Sequence, residues 1–317
     1  MKILAVVSGG DAPGINAALW HFSRLTAARG DEFVGADGGF PAAIGSPYQV
    51  LTPRLLAAHA ALGGSYLASS REPVMRDPAA RAALAQRLRD ESIDGILLFG
   101  GDGTLRHLPP ILNEMGAACI ALPTTIDNDV AHTDRTLGFD SACNFAYSSI
   151  DGALATGRAL PGRIFTVETL GGGTGHLALA IASGVGAHAV LVPEIAFDLD
   201  WLAERVRSAL TADGYALIVH SEGITGSRAL PEQISARVGV RVRDIHLGHA
   251  QRGGHPSHLD RALAAAWAAA AHQAFIAGVR RGVLLEQRGE TFLFQGDLNA
   301  HPAPGIDRDL YDFINGL

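Results

Sequence analysis

Short apolar runs bounded by turn residues alternate along the chain with stretches whose apolar side chains recur every three to four positions. Residues 3–7, 93–99, 119–122 and 164–167 read as strands, and 15–28, 105–115 and 145–160 read as helices. The rhythm resumes with a helix over 175–183, a strand over 189–192, a helix over 199–210, a strand over 216–220 and the clearest helix over 260–277. Such alternation belongs to βαβ units, and it predicts an α/β chain of two Rossmann-like, doubly wound lobes with mostly parallel sheets and an active site in the cleft between them. Ligands of open parallel sheets gather beyond the carboxyl ends of the strands. Chemistry is therefore expected in residues 8–16, 69–76, 100–104, 123–129, 168–175 and 220–223, with 249–254 as a further glycine-rich turn entering the last long helix.

Composition narrows the class. A chain of 317 residues, 48% hydrophobic and 18% charged, can bury a sizeable core. Its formal charge of −7 gives no general field for nucleic-acid phosphates, so no nucleic-acid partner is expected. Lys2 is the only lysine. That excludes a GxxxxGK[ST] phosphate loop, a Schiff-base lysine and the strand lysine of protein kinases. Cys119 and Cys143 form no CxxC pair and read as small buried hydrophobes of a reducing compartment. The opening residues read as a first strand rather than a signal peptide. The alanine-rich stretch 260–279 carries Arg261, His272 and Gln273 and reads as a packed helix rather than a membrane span. The expected location is the cytoplasm, with no membrane partner.

Three glycine-rich or acidic turns carry candidate chemistry. Ser8-Gly9-Gly10-Asp11 joins a strand to a helix, an arrangement that suits phosphate oxygens and equally suits a plain tight turn. Gly100-Gly101-Asp102-Gly103-Thr104 follows the buried run GILLF and opens a helix, combining a glycine cradle with an acid able to reach a phosphate-bound metal. Thr124-Thr125-Ile126-Asp127-Asn128-Asp129 places two acids one residue apart just past a strand, where one can accept a hydroxyl proton and the other bias magnesium. Asp-Asn-Asp in a loop is ordinarily a solvated turn. Its company argues otherwise: GGDAPGINAAL, GGDGT, PTTIDND, TLGFDSACN and LGHAQRGGHPSHLDR follow one another across nearly the whole chain.

These five motifs in register resemble the phosphofructokinase family, whose ATP- or pyrophosphate-dependent members phosphorylate the 1-hydroxyl of fructose 6-phosphate. The resemblance implies that Asp127 is the catalytic base, that Thr125 contacts the sugar or the transferring phosphate, and that Asp102 and Asp129 serve Mg2+. It places Gly10, Arg71, Arg76, Gly101, Gly103 and Thr104 at the donor nucleotide. It assigns the sugar phosphate to Arg163, Glu222, Arg243, His249 and Arg252, together with Leu170, Gly171 and Gly172. It further implies a larger donor lobe of 1–138 plus about 252–305, a smaller acceptor lobe of 139–251 plus about 306–317, and a homo-oligomer, tetramer or dimer, in which Arg163 and Arg243 cross a subunit interface.

The chain departs from the family pattern at three places. Gly172 stands where an arginine near the transferred phosphoryl group is usual, and the run 171–175 suggests a backbone nest that binds phosphate in its stead. Gly103 is the residue of ATP users, whereas Thr124 matches neither donor class and lacks the cation of pyrophosphate users. Trp20 and the base-free stretch 211–215 thin the basic effector cluster of bacterial members, implying weak control by ADP or phosphoenolpyruvate. The leading expectation is an ATP-dependent 6-phosphofructokinase. The alternatives are a pyrophosphate-dependent or other sugar-phosphate kinase, a GGDG-type kinase of NAD or lipids, and a phosphoryl-binding regulator with reduced catalysis.

Overall fold

In the computed structural model, which describes residues 1–71 and 73–317, packing divides the chain into two units. The first joins Met1–Ser141 to Arg252–Pro304, and the second joins Ala142–Gln251 to Gly305–Leu317. The expected turn 69–76 includes Glu72, which lies outside the described residues.

The sheet of the first unit runs, edge to edge, Glu290–Phe294, Arg281–Gln287, Ala118–Thr125, Gly95–Gly100, Lys2–Ser8, Glu32–Ala36 and Gln49–Val50, with Leu137–Gly138 pairing beside the end of Ala118–Thr125. Its interior pairings are parallel, and only the edge strands Glu290–Phe294 and Gln49–Val50 run antiparallel. A parallel sheet is covered on both faces, so its strands appear in sequence as continuous apolar runs. Leu4 lies opposite Val34 and Ile96 in the ladder. Leu4, Val6, Ile96 and Leu98 pack with Leu84 and Leu88 of the helix Pro78–Asp90 and with Leu105 and Leu112 of the helix Asp102–Glu114. The alternate residues Ile3, Ala5 and Val7 are also fully buried. On that side lie the helices Ile15–Arg29 and His258–Ile276, where Phe22 meets Phe33 at 4.8 Å and Phe275 at 6.2 Å. The unit is therefore doubly wound, as the alternation of elements predicts.

Strand order fixes where a ligand can sit. Lys2–Ser8 leads to Glu32–Ala36 on one side, whereas Gly95–Gly100 leads to Ala118–Thr125 on the other. The two connections diverge and open a crevice between their first residues. Asp260 anchors the short strand Leu137–Gly138 that pairs with the end of Ala118–Thr125: it is buried and accepts from Gly138 N at 2.9 Å and Ser141 N at 2.8 Å.

The second unit holds a parallel sheet ordered Val242–His246, Arg163–Thr169, Tyr215–Ser221 and Ala189–Leu191. Ile164, Leu191 and Ile218 pack there against Leu202 and Val206 of the helix Leu199–Asp213 and against Leu230 and Ile234 of the helix Leu230–Val238. The terminal helix Arg308–Asn315 docks on this sheet, Asn315 Oδ1 accepting from Val190 N at 2.9 Å and its Nδ2 donating to Val190 O at 3.1 Å.

Several elements begin earlier than periodicity predicts. The helix expected at 105 starts at Asp102, and the one expected at 145 starts at Phe139. No helix of the described residues is long and apolar enough to cross a membrane. Both cysteines are buried.

Candidate active site

The crevice between the first and fourth strands of the larger unit carries the glycine turns. Gly9 adopts φ +105°, a conformation that favours glycine, and its N–H donates to Ser70 O at 3.1 Å. A Cβ on Gly10 would lie 3.2 Å from Arg252 Nη1 and 3.3 Å from Arg71 Nη2, so the missing side chain lets two guanidinium groups approach the backbone. The helix that follows starts only at Ile15, with Gly14 at its cap, so the Gly9–Asp11 turn is not itself a helix N-terminus. The second turn supplies one. The helix Asp102–Glu114 begins within the GGDGT run, and no side chain caps it. Thr104 ties the two turns together through a hydrogen bond from Oγ1 to Ser8 O at 3.1 Å.

The acids stand just past the strand Ala118–Thr125. Thr125 Oγ1 accepts from Asp127 N at 3.1 Å. Asn128, in the left-handed region at φ +54°, closes the loop. Its Oδ1 accepts from Thr136 N at 2.8 Å and its Nδ2 donates to Asp134 O at 3.1 Å. Thr136 Oγ1 in turn donates to Thr125 O at 2.6 Å. The Asp-Asn-Asp segment is thus a turn in which the asparagine makes the turn and both acids face inward.

Burial pushes the Asp127 carboxyl above the ordinary aspartate range, against the pull of Arg252, whose Nη2 lies 3.9 Å from Asp127 Oδ1, and of Thr125 and Arg71. Asp129 is pushed further, to about 6, by burial first and then by the negative charges of Asp127 and Asp102, with Arg106 opposing. A third carboxylate, Asp102, shares Oδ2 with Arg106 Nε at 2.6 Å. Asp102 Oδ1 and Asp129 Oδ1 are buried and have no hydrogen-bond partner among the described residues. No cluster of three or more metal-ligating side chains occurs among the described residues. Magnesium that arrives on phosphate oxygens needs only one or two carboxylates, so this pair fits that ion and does not fit an all-protein metal cage.

One cavity of about 280 Å³ is lined by Asp102, Asp127, Asp129, Thr125, Arg71 and Arg252 together with the glycines of both turns. A second, of about 640 Å³, shares Gly9, Arg71, Gly103 and Thr104 with it and continues along Phe40, Met75, Pro110 and Ile111, with Arg76 and Asn299 on its wall. All of these residues belong to the larger unit. Around Gly103 a Cβ would meet nothing within 4 Å. Space here is open, so packing does not require glycine at 103. Gly10, Arg71, Gly101, Gly103, Thr104, Asp102, Thr125, Asp127, Asp129 and Arg252 thus line one cavity, and Arg76 lines the adjoining one.

The remaining candidates lie in the second unit. Arg163 opens the strand Arg163–Thr169, and Arg243 lies on the neighbouring strand Val242–His246, opposite Phe165. Arg243 sits near enough to Arg163 and Arg241 for their charges to lower its pKa, after desolvation. His249 and Glu222 are exposed, past the carboxyl ends of their strands. Leu170 is buried and its N–H donates to Gln251 Oε1 at 2.8 Å. Gly171 and Gly172 adopt φ +139° and +59°. The backbone nest expected over 171–175 is partly occupied: Glu222 Oε1 accepts from Gly172 N at 3.1 Å, Glu194 Oε1 from Gly175 N at 2.8 Å, and Gly171 O from Thr174 N at 3.1 Å. Carboxylates take two of the run's N–H groups and a carbonyl takes a third.

Arg106 and Asn128 were not singled out in sequence. The Asp-x-x-x-Arg spacing on a helix marks the first, whereas the second is hidden inside an ordinary turn signature.

A family model described as Phosphofructokinase matches residues 2–275. The chain is 34% identical to the ATP-dependent 6-phosphofructokinase of Staphylococcus carnosus, covering 100% of this chain and 99% of that protein. It is 31% identical to the ATP-dependent 6-phosphofructokinase of Aquifex aeolicus, covering 98% of each. Among solved structures, the pyrophosphate-dependent phosphofructokinase of Marinobacter aquaeolei superposes with a TM-score of 0.84 over 99% of this chain and 91% of that one, at 22% identity, a likeness of fold alone. The order of motifs, the doubly wound sheet with acids at its switch point and the full-length relatives all lead to one assignment: the chain belongs to the phosphofructokinase family.

Proposed function

We propose that the protein transfers the γ-phosphoryl group of ATP to the 1-hydroxyl of fructose 6-phosphate, the glycolytic step that yields fructose 1,6-bisphosphate and ADP. The observation that carries this reading is the pair of cavities sharing Gly9, Arg71, Gly103 and Thr104. The smaller is lined by acids, glycines and arginines, as a polyphosphate requires. The larger has the apolar wall of Phe40, Met75, Pro110 and Ile111 that a nucleoside fills and pyrophosphate does not.

In the proposed reaction Asp127 accepts the proton of the sugar 1-hydroxyl as that oxygen bonds to the γ-phosphorus and the bond to the β-phosphate oxygen breaks, releasing ADP. Burial raises the proton affinity of Asp127 and so improves it as a base at neutral pH. Arg71 and Arg252, both close to Gly10, face the charge that develops on the phosphoryl oxygens. Thr125 holds the Asp127 backbone and offers its hydroxyl to the transferring group. Asp102 and Asp129, each with one buried oxygen left without a partner among the described residues, would hold Mg2+ arriving with the donor, and the ion would supply neutralisation of phosphate charge. Arg163, Arg243, His249, Glu222 and Arg252 hold the sugar phosphate in this reading. Arg163 and Arg243 are given across an interface of a homotetramer or homodimer in the cytoplasm. Control by ADP or phosphoenolpyruvate is weak.

Incubation of the purified protein with fructose 6-phosphate and Mg2+, with ATP or pyrophosphate in parallel arms, tests donor and acceptor together. Fructose 1,6-bisphosphate formed with ATP only is the expected result; formation with pyrophosphate only, or in neither arm, refutes the reading.

A further inference from the structure

Arg106 lies one helical turn beyond Asp102, and its guanidinium is held on three acceptors. Nε donates to Asp102 Oδ2 at 2.6 Å, and Nη1 donates to the main-chain oxygens of Leu298 and of His301, the latter at 2.8 Å. The backbone oxygen of Arg106 accepts from Asn299 Nδ2 at 3.0 Å, and both Arg106 and Asn299 line the larger donor cavity. An ordinary i,i+4 pair on a helix surface leaves two mobile side chains and adds only a few tenths of a kcal/mol. This pair is different, because the arginine side chain is only 15% exposed and bridges the helix to a segment far along the chain.

The clamp has a directional effect on Asp102. With Oδ2 committed to Arg106, the carboxylate cannot rotate freely, and Oδ1 is left buried without a partner among the described residues, on a residue that lines the phosphate-sized cavity with Asp129. We propose that Arg106 is a positioning residue that fixes one oxygen of Asp102 for the metal carried by the phosphoryl donor. The inference rests on the donor reading given above. The effect is one of geometry and not of charge, and the two have opposite signs. A positive charge beside the acids weakens their attraction for a cation, so simple loss of charge would tighten metal binding, whereas loss of orientation would weaken it. Arginine suits the task because its planar fork presents one edge to a carboxylate and another to two carbonyls. Lysine carries the same charge on a single point and cannot span both.

Calorimetric titration of the full-length protein with Mg2+·ADP and with metal-free ADP, for the wild type, Arg106→Lys and Arg106→Ala, tests this, with thermal unfolding of each protein confirming that it is folded. Both variants are expected to lose about tenfold in affinity for Mg2+·ADP, the scale of residues that orient metal ligands, while affinity for metal-free ADP changes by less than about threefold. The proposal is overturned by unchanged or tighter Mg2+·ADP binding in either variant, by full retention in Arg106→Lys, or by equal losses for the two forms of ADP. A wild type that does not distinguish the two forms overturns the donor reading along with it, whereas a wild type that distinguishes them beside unaffected variants sinks the Arg106 assignment alone.

Discussion

Replacing Asn128 separates the fold of the acidic loop from its chemistry. Asn128 sits at φ +54° between Asp127 and Asp129 and ties the loop to Thr136 N at 2.8 Å and to Asp134 O at 3.1 Å. The part-buried bond to Thr136 contributes about 1 kcal/mol and the exposed bond to Asp134 about half that. An alanine must also hold the left-handed conformation, at a further cost of about 1 kcal/mol, whereas glycine adopts it freely. Asn128→Ala should therefore lower stability by about 2.5 kcal/mol and Asn128→Gly by about 1.5 kcal/mol, measured by urea denaturation. Both variants release the segment that aims Asp127, and misplacing a reacting group by about 1 Å costs on the order of 10²-fold in rate. The assay is kcat at saturating substrates under conditions where each variant is folded. A folded Asn128→Ala protein with kcat within about threefold of wild type would refute the view that this residue positions the acids, and equal stability of all three proteins would refute the bond accounting.

Two further substitutions probe the donor side. Gly103 has open space around it and lies in the first turn of its helix, so Gly103→Asp should leave stability unchanged or slightly raised while increasing the KM for ATP at least about tenfold, through repulsion of the phosphates; steady-state kinetics and thermal unfolding read the two effects separately. Asp129 in the metal-free protein is pushed up to about 6 from 3.8. The folded state therefore holds its proton more tightly than the unfolded state, and Asp129 opposes folding increasingly as pH rises from about 4 through 6, by an upper limit of about 3 kcal/mol above that range. Asp129→Asn should accordingly be more stable than wild type at pH 8 in chelator, with the difference shrinking as pH falls toward 4; a pH-independent difference in denaturation midpoint would contradict this.

Three central strands were legible because a parallel sheet buried on both faces needs uninterrupted apolar runs, as in residues 3–7 and GILLF before Gly100, whereas the interior strands Glu32–Ala36 and Arg281–Gln287 were not read. The edge strands Gln49–Val50 and Glu290–Phe294 were not, since they are short, partly exposed and carry no such run. The acids and glycines of the site were readable because each turn combines backbone freedom with charge at a strand end. Interactions set by distant partners were not. Arg106 reaches a carbonyl 192 residues away, and the glycine run at 171–175 reads as an open nest until Glu222, 50 residues past Gly172, and Glu194, 19 past Gly175, are seen to occupy two of its N–H groups. The absence of an arginine at Gly172 is visible in sequence. That Arg71 and Arg252 both approach Gly10 is visible only in the folded chain.

The proposal that Asp127 removes the acceptor proton is tested most directly by Asp127→Ser, assayed for fructose 1,6-bisphosphate formation with ATP, Mg2+ and saturating fructose 6-phosphate. General-base catalysis contributes about 10²–10⁴-fold, so kcat should fall by that factor while binding of Mg2+·ATP, measured by calorimetry, stays within about threefold. A variant that retains kcat within about tenfold of the wild type would contradict the assignment of Asp127 as the base.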